Sequence, residues 1–365
     1  MSTGPRTFGI LTCGGDCPAL NAVIRGAAKT LLNRGCRVYG IMNGFNGLIN
    51  ENVVELHHQD LVNIVTRGGT ILGTSNRDNP FKFARHVGDQ IVFEDRHEAI
   101  IKNIKKYGME ALILLGGDGS MNIGYELASV SDDVKVVACP KTIDNDLSMT
   151  ERTFGFDTAV SVATEALDRL LTTAESHHRV MILEVMGRYA GWIAIHTGIA
   201  GSANVILIPE IPYNFDKIVE KIKERQALGK RHSLIVVAEG AKPVNGELTV
   251  ARIVKDSFEP IRLGGIGQKL ANQLEEATGL ECRCTTLGYV QRGGTPTSYD
   301  RVLSLRYGVA AAFACLNKEY NVMMSLQGDK IVHVPISEVV KQNKHVPVDG
   351  ELVQVAKALG IGMGD

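Results

Sequence analysis

Short apolar runs alternate along the chain with longer segments whose apolar positions recur at helical spacing. Phe8–Thr12 is the first run and gives way to Gly14-Gly15-Asp16; a helical segment follows from about Ala19 to Leu32. Arg37–Met42 closes at Asn43-Gly44, Ala111–Leu115 runs into Gly116-Gly117-Asp118-Gly119, and Val134–Cys139 runs into Pro140. The second half repeats the style, with strands expected at Val180–Val185, Asn204–Ile208, Leu234–Ala238 and Thr285–Val290. Helices are expected at Asp216–Leu228, Gly267–Thr278, Tyr299–Leu316 and Gly350–Gly360. Near-continuous apolar runs suit strands covered on both faces, hence parallel strands, and the helices between them make the chain α/β with right-handed crossovers. In such sheets the loops leaving the strand C-ends form the ligand crevice, and the Gly-rich and polar segments fall at those ends.

Length changes the picture modestly: 365 residues suggest two domains, with a boundary near 140–150. Net charge −1 and 5% aromatic content exclude a basic, base-stacking surface for nucleic acid, and the single Arg292-Gly293-Gly294 lacks aromatic neighbours. The seven cysteines are scattered, with Cys282 and Cys284 forming a lone C-x-C; free thiols in a reducing compartment are expected. No apolar run approaches a membrane span, and the N-terminus carries no basic-then-apolar signal, so we expect a cytosolic chain.

Three segments carry chemistry. In Thr12-Cys13-Gly14-Gly15-Asp16-Cys17-Pro18, two glycines precede a helix start, where backbone N–H groups favour anions. Gly116-Gly117-Asp118-Gly119-Ser120 repeats that logic and adds a carboxylate, which suits phosphate only across a hard cation, hence Mg²⁺; a helix cap is the competing reading of Asp118. No Walker-type phosphate loop is present. Gly264-Gly265-Ile266-Gly267 reads as a helix start. In Pro140-Lys141-Thr142-Ile143-Asp144-Asn145-Asp146, local extension would point both aspartates the same way, and a carboxylate there could take a hydroxyl proton. Arg179, Arg188, Arg283 and Arg292 fall at predicted strand ends or turns, where guanidinium forks could grip phosphate.

Together these segments resemble the phosphofructokinase family. LTCGGDCPALNAVIRG, GGDGS, PKTIDND, FGFDTA, EVMGRYAGW, VAEG and LGYVQRGGTP occur in the family's order. The resemblance implies two similar Rossmann-like lobes with mainly parallel sheets and an active site in the cleft between them. Residues 1–145 would bind donor and Mg²⁺ and residues 146–365 the sugar phosphate, with a chain crossing near the C-terminus. It implies ATP-dependent phosphorylation of fructose 6-phosphate at the C1 hydroxyl, in glycolysis. Asp144 is then the general base, with Lys141, Thr142 and Asp146 beside it. Gly15, Arg77, Gly117, Asp118, Gly119 and Ser120 contact the donor, Asp118 ligating the metal. Thr142, Asp144, Met186, Gly187, Arg188, Glu239, Tyr289 and Arg292 contact the sugar phosphate. Arg179 and Arg283 reach a neighbouring subunit's site, which implies a homodimer or homotetramer.

The donor turns on one position. Pyrophosphate-using relatives typically carry Asp where Gly119 stands and Lys where Lys141 stands. Gly119 leaves volume for the rest of ATP and removes a repelling carboxylate, which outweighs Lys141. The alternatives are a reversible pyrophosphate-dependent enzyme, a non-catalytic nucleotide-sensing subunit, and a diacylglycerol or NAD kinase sharing the GGDG loop. Arg25, Lys230 and Arg231 match basic positions near the effector site of regulated relatives, and equally suit a solvated surface.

Overall fold

The structure is a computed structural model and describes residues 4–88, 90–253 and 261–365. In chain order its strands are β1 (Thr7–Thr12), β2 (Arg37–Ile41), β3 (Val53–Glu55), β4 (Phe83–Val87), β5 (Gln90–Glu94), β6 (Ala111–Gly116), β7 (Val136–Pro140), β8 (Val180–Val185), β9 (Val205–Leu207), β10 (Ser233–Ala238), β11 (Val250–Ile253), β12 (Ile261–Leu263), β13 (Cys282–Thr286), β14 (Val322–Gln327) and β15 (Lys330–Pro335). The helices used below are α1 (Leu20–Leu32), α2 (Asp118–Val130), α3 (Phe156–His177), α4 (Trp192–Ala200), α5 (Ile266–Thr278) and α6 (Ser298–Asn317).

Two sheets organise these elements. The first has the order β15-β14-β7-β6-β1-β2-β3, parallel except at its antiparallel edges β2–β3 and β14–β15. The second has the order β13-β8-β10-β9 and is wholly parallel. All residues of β1, β6, β7, β8 and β10 are buried, as their continuous apolar runs demand. The chain returns to the first sheet late, when β14 pairs in parallel with β7. That return brings α6 against α1, where glycines set the spacing: a Cβ on Gly26 would lie 2.7 Å from the Leu305 carbonyl oxygen, and one on Gly308 2.3 Å from that of Val23.

One predicted strand is displaced. Thr285–Val290 was expected; the strand is Cys282–Thr286, followed by a 3-10 turn over Gly288–Arg292. Gly288, at φ 49°, ends the extended run, and β13 is an edge strand buried only in part, so it lacks the apolar signature of an interior strand. Gly264–Gly267 does form a helix start. Gly265 precedes α5, and the amides of Gly265 and Gly267 donate to the Glu184 carboxylate at 3.0 and 2.7 Å.

A second cross-chain cap holds α3. The fully buried carboxylate of Asp300, in the first turn of α6, accepts from the amides of Gly155 (3.0 Å) and Thr158 (2.8 Å) and from the Thr158 hydroxyl (2.6 Å). Removing it orphans buried donors at a helix start, at about 1–3 kcal/mol each. Asp300→Ala is therefore expected to lose about 3 kcal/mol of stability in denaturant titration; a loss no larger than that of a surface substitution would contradict this role.

Candidate active site

β2 lies on one side of β1 and β6 on the other, so the strand order reverses between β1 and β6. Such a switch point opens a crevice at the strand C-ends. Gly14-Gly15 leaves β1, Gly117-Asp118-Gly119-Ser120 leaves β6 into α2, and Lys141 follows β7. The second sheet aims its own C-ends at the same space, with Met186 and Arg188 after β8, Glu239 after β10, and Tyr289 and Arg292 after β13. The two sets enclose one cavity of about 860 Å³, a size suited to a nucleotide or sugar phosphate.

Lys141 ties the two glycine turns together. Its ammonium lies 3.2 Å from where a Cβ on Gly14 would stand and 3.9 Å from one on Gly117. Lys141 is buried, and desolvation pulls its pKa down, with the Arg292 charge adding to the fall and Asp146 opposing it. Arg292 bridges the two sheets: a Cβ on Gly15 would fall 1.9 Å from its Nη1. Its Nε donates to Met186 Sδ at 3.5 Å, and its guanidinium lies 5.7 Å from the centre of the Tyr289 ring. Gln291, fully buried, accepts from the Met186 amide at 2.7 Å and fixes that turn.

The segment after Lys141 is not extended, contrary to the expectation that Asp144 and Asp146 share one side through strand alternation. The Asp144 amide donates to Thr142 Oγ1 at 3.1 Å, and Asn145 takes φ 53°. The chain therefore turns between the two aspartates, though both line the cavity. Asp146 sits among Thr142, Lys141 and Lys344; burial raises its pKa most, against the hydrogen bond from Thr142 and the two lysine charges. Asp144 faces Glu239, whose pKa is pushed up to about 8, first by burial and then by the Asp144 charge. At neutral pH Glu239 is thus protonated and can donate a hydrogen bond. Cys13 also lines the cavity, but burial pushes its thiol up to about 12, so it is not a nucleophile there.

Asp118 opens α2, half-buried, and its Oδ1 accepts from Asn122 at 3.0 Å. Among the described residues no group of three or more His, Cys, Asp and Glu could hold a metal ion alone. One or two carboxylates at a phosphate cradle fit Mg²⁺, which takes its remaining ligands from phosphate oxygens and water.

Other predicted residues stand apart. Gly187 shapes the turn after β8, at φ 132°, and does not line the cavity. Arg77 does not line it either, although its neighbours Asn76 and Asp78 do. Arg179 precedes β8 and Arg283 lies early in β13, at the opposite end of the second sheet from the cavity. Both pair with Glu281, Arg179 at 2.7 Å, so the single chain does not bring them to the site. Sequence reading missed Glu184, Gln291 and Lys344. Glu184 had a signal, a lone acid inside an apolar strand; Lys344, whose amide donates to the Asp146 carbonyl at 2.7 Å, had none.

The state of Glu239 sets a pH dependence. Below about pH 8 it is neutral and can donate to a bound hydroxyl; above, it becomes a second anion beside Asp144. The KM for an anionic substrate in this cavity is expected to rise through that range in the wild type, and to stay flat in Glu239→Gln. Parallel profiles in the two proteins would refute the assignment.

Residues 7–315 match the family described as phosphofructokinase. The chain is 50% identical over 366 residues to ATP-dependent 6-phosphofructokinase 2 of Clostridium perfringens, covering 99% of each chain. It is 47% identical over 342 residues to a pyrophosphate–fructose 6-phosphate 1-phosphotransferase of Amycolatopsis mediterranei, covering 93% of this chain and 96% of the relative. Among solved structures it resembles Pichia pastoris phosphofructokinase in the T-state, with TM-score 0.78 and 27% identity over 99% of this chain; it spans only 37% of that yeast chain. Sheet order, cavity and sequence agree, and the chain belongs to the phosphofructokinase family.

Proposed function

We propose that the chain transfers the γ-phosphoryl group of ATP to the C1 hydroxyl of fructose 6-phosphate, giving fructose 1,6-bisphosphate and ADP in glycolysis. One observation carries this reading: two glycine turns, the buried Lys141 and Asp144 from the first sheet share a cavity with the cationic C-ends of the second. The printed names of relatives such as that of Clostridium perfringens support ATP as donor. The Amycolatopsis relative keeps a pyrophosphate-dependent reading alive, and Lys141 leans the same way.

In this reading the amides of Gly14-Gly15 and the start of α2 receive the donor phosphates. Lys141 neutralises charge on the transferred group, and Asp144 takes the C1 hydroxyl proton as the new O–P bond forms and the bond to ADP breaks. Glu239, Arg188, Arg292 and Met186 hold the sugar phosphate in line. Asp118, with Asp146 in support, would hold Mg²⁺, which would supply charge neutralisation. Arg179 and Arg283 complete the site of a neighbouring copy in a homodimer or homotetramer, each released from Glu281 by a substrate phosphate. The first sheet carries the donor side and the second the sugar side. No described helix is long and apolar enough to cross a membrane, and we place the enzyme in the cytoplasm. The test is product analysis: fructose 6-phosphate, ATP and Mg²⁺ should yield the 1,6-bisphosphate, and chelation should stop it. Hydrolysis of ATP without sugar phosphorylation would overturn the reading.

A further inference from the structure

A second cavity, of about 610 Å³, shares no lining residue with the first. Asn145 and residues 149–152, which directly follow the aspartates of the active site, form one wall; Trp192 and His196 of α4 and Lys344 form another. Its nitrogen groups converge. His196 Nδ1 donates to the Trp192 carbonyl at 2.8 Å, which leaves Nε2 to accept from Arg152 Nη1 at 3.4 Å. The Lys344 ammonium donates to the carbonyls of Thr150 (2.8 Å) and Glu151 (3.1 Å) and lies 5.7 Å from the centre of the Trp192 ring. Glu151, the acid of this wall, has its carboxylate accepting from the Gly328 amide at 2.8 Å. Two cations and an imidazole thus border a roomy cavity beside an aromatic face.

Their electrostatics favour an anion between them. Arg152, His196 and Lys344 lie close enough to act on one another, with the carboxylates of Asp146 and Glu151 opposing at Lys344 and that of Asp157 at His196. An anion seated between the three would offset their mutual repulsion. A mechanical link leads out. The Lys344 amide donates to the Asp146 carbonyl at 2.7 Å, and Asn145 Nδ2 donates to the Glu151 carbonyl at 3.3 Å. The stretch between holds two non-glycine residues at positive φ, Asn145 (53°) and Met149 (62°), so it is a tight turn pinned at both ends.

We propose that this cavity binds a small dianion, a dicarboxylate or a phosphate monoester, between Arg152, His196 and Lys344 and against Trp192, and that occupancy acts on the Asp144–Asp146 turn through Lys344. The binding half stands on the cavity alone; the coupling half rests on the reading of Asp144 as the proton acceptor.

Trp192 is the single tryptophan of the chain, so intrinsic fluorescence reports the cavity directly. The full chain is titrated with malonate and, separately, with glycerol 3-phosphate, without ATP or sugar phosphate. A saturable fluorescence change is expected with at least one probe, and which probe succeeds tells carboxylate from phosphate recognition. The change should vanish in Arg152→Ala and weaken in His196→Gln, with both variants checked for native circular dichroism. The active probe should also shift the half-saturation for fructose 6-phosphate about fivefold or more in the wild type and leave Arg152→Ala unmoved. No saturable change with either probe, or a change that persists in both variants, overturns the site. Binding without a kinetic shift overturns the coupling alone. Probe binding by a chain that does not phosphorylate fructose 6-phosphate would sink the functional reading and leave the site standing.

Discussion

Asp144→Asn is expected to lower turnover by at least about 10²-fold with little change in the KM for fructose 6-phosphate. The amide keeps the shape and polarity of the carboxylate but cannot take the C1 hydroxyl proton, so the loss falls on the transition state. The turn that carries it should survive, because that turn is held by the Asp144 amide on Thr142 Oγ1 and by Asn145, not by ionisation. A second consequence separates this from general damage. The Asp144 charge is the second-largest cause raising Glu239, so removing it should move the Glu239 limb of the pH profile downward. Near-wild-type turnover in the variant would remove Asp144 from the role of base.

Gly119→Asp should lower kcat/KM for ATP by about 10²-fold or more and spare pyrophosphate far better. Gly119 is the second residue of α2 and lines the cavity. A carboxylate in the first turn of a helix is favourable for folding, so the variant should fold. Its charge would stand where ATP would carry its α-phosphate; like-charge juxtaposition there costs several kcal/mol, and tenfold in rate needs only about 1.4. Pyrophosphate lacks the part of ATP that this carboxylate would meet. Equal losses with both donors would contradict the argument, and unchanged ATP use would end it.

Much of this arrangement is legible in the sequence because local rules agree with the fold. Val180–Val185 is both predicted and observed, since an interior parallel strand must be apolar throughout. The glycine turns after β1 and β6 are visible for the same reason: backbone that must approach phosphate cannot carry side chains. What is not legible depends on residues distant in the chain. The long helix α3 has no side-chain cap from its own neighbourhood; Asp300 supplies one from far along the chain. The pairing of β14 with β7 and the bond from Lys344 to Asp146 are likewise long-range. Asp144 and Asp146 both reach the cavity, but not by strand alternation, because the Thr142 hydroxyl and Asn145 make a turn between them. Arg179 and Arg283 carry the same lesson in another form: within one chain both pair with Glu281, and Arg283 also with Glu275, and only an assembly could give them a substrate.

The most direct measurement compares initial rates of fructose 6-phosphate phosphorylation by purified protein with ATP and with pyrophosphate, each with Mg²⁺ and side by side. The donor-cradle account predicts fast formation of the 1,6-bisphosphate from ATP and little from pyrophosphate. Turnover with pyrophosphate and none with ATP would contradict it.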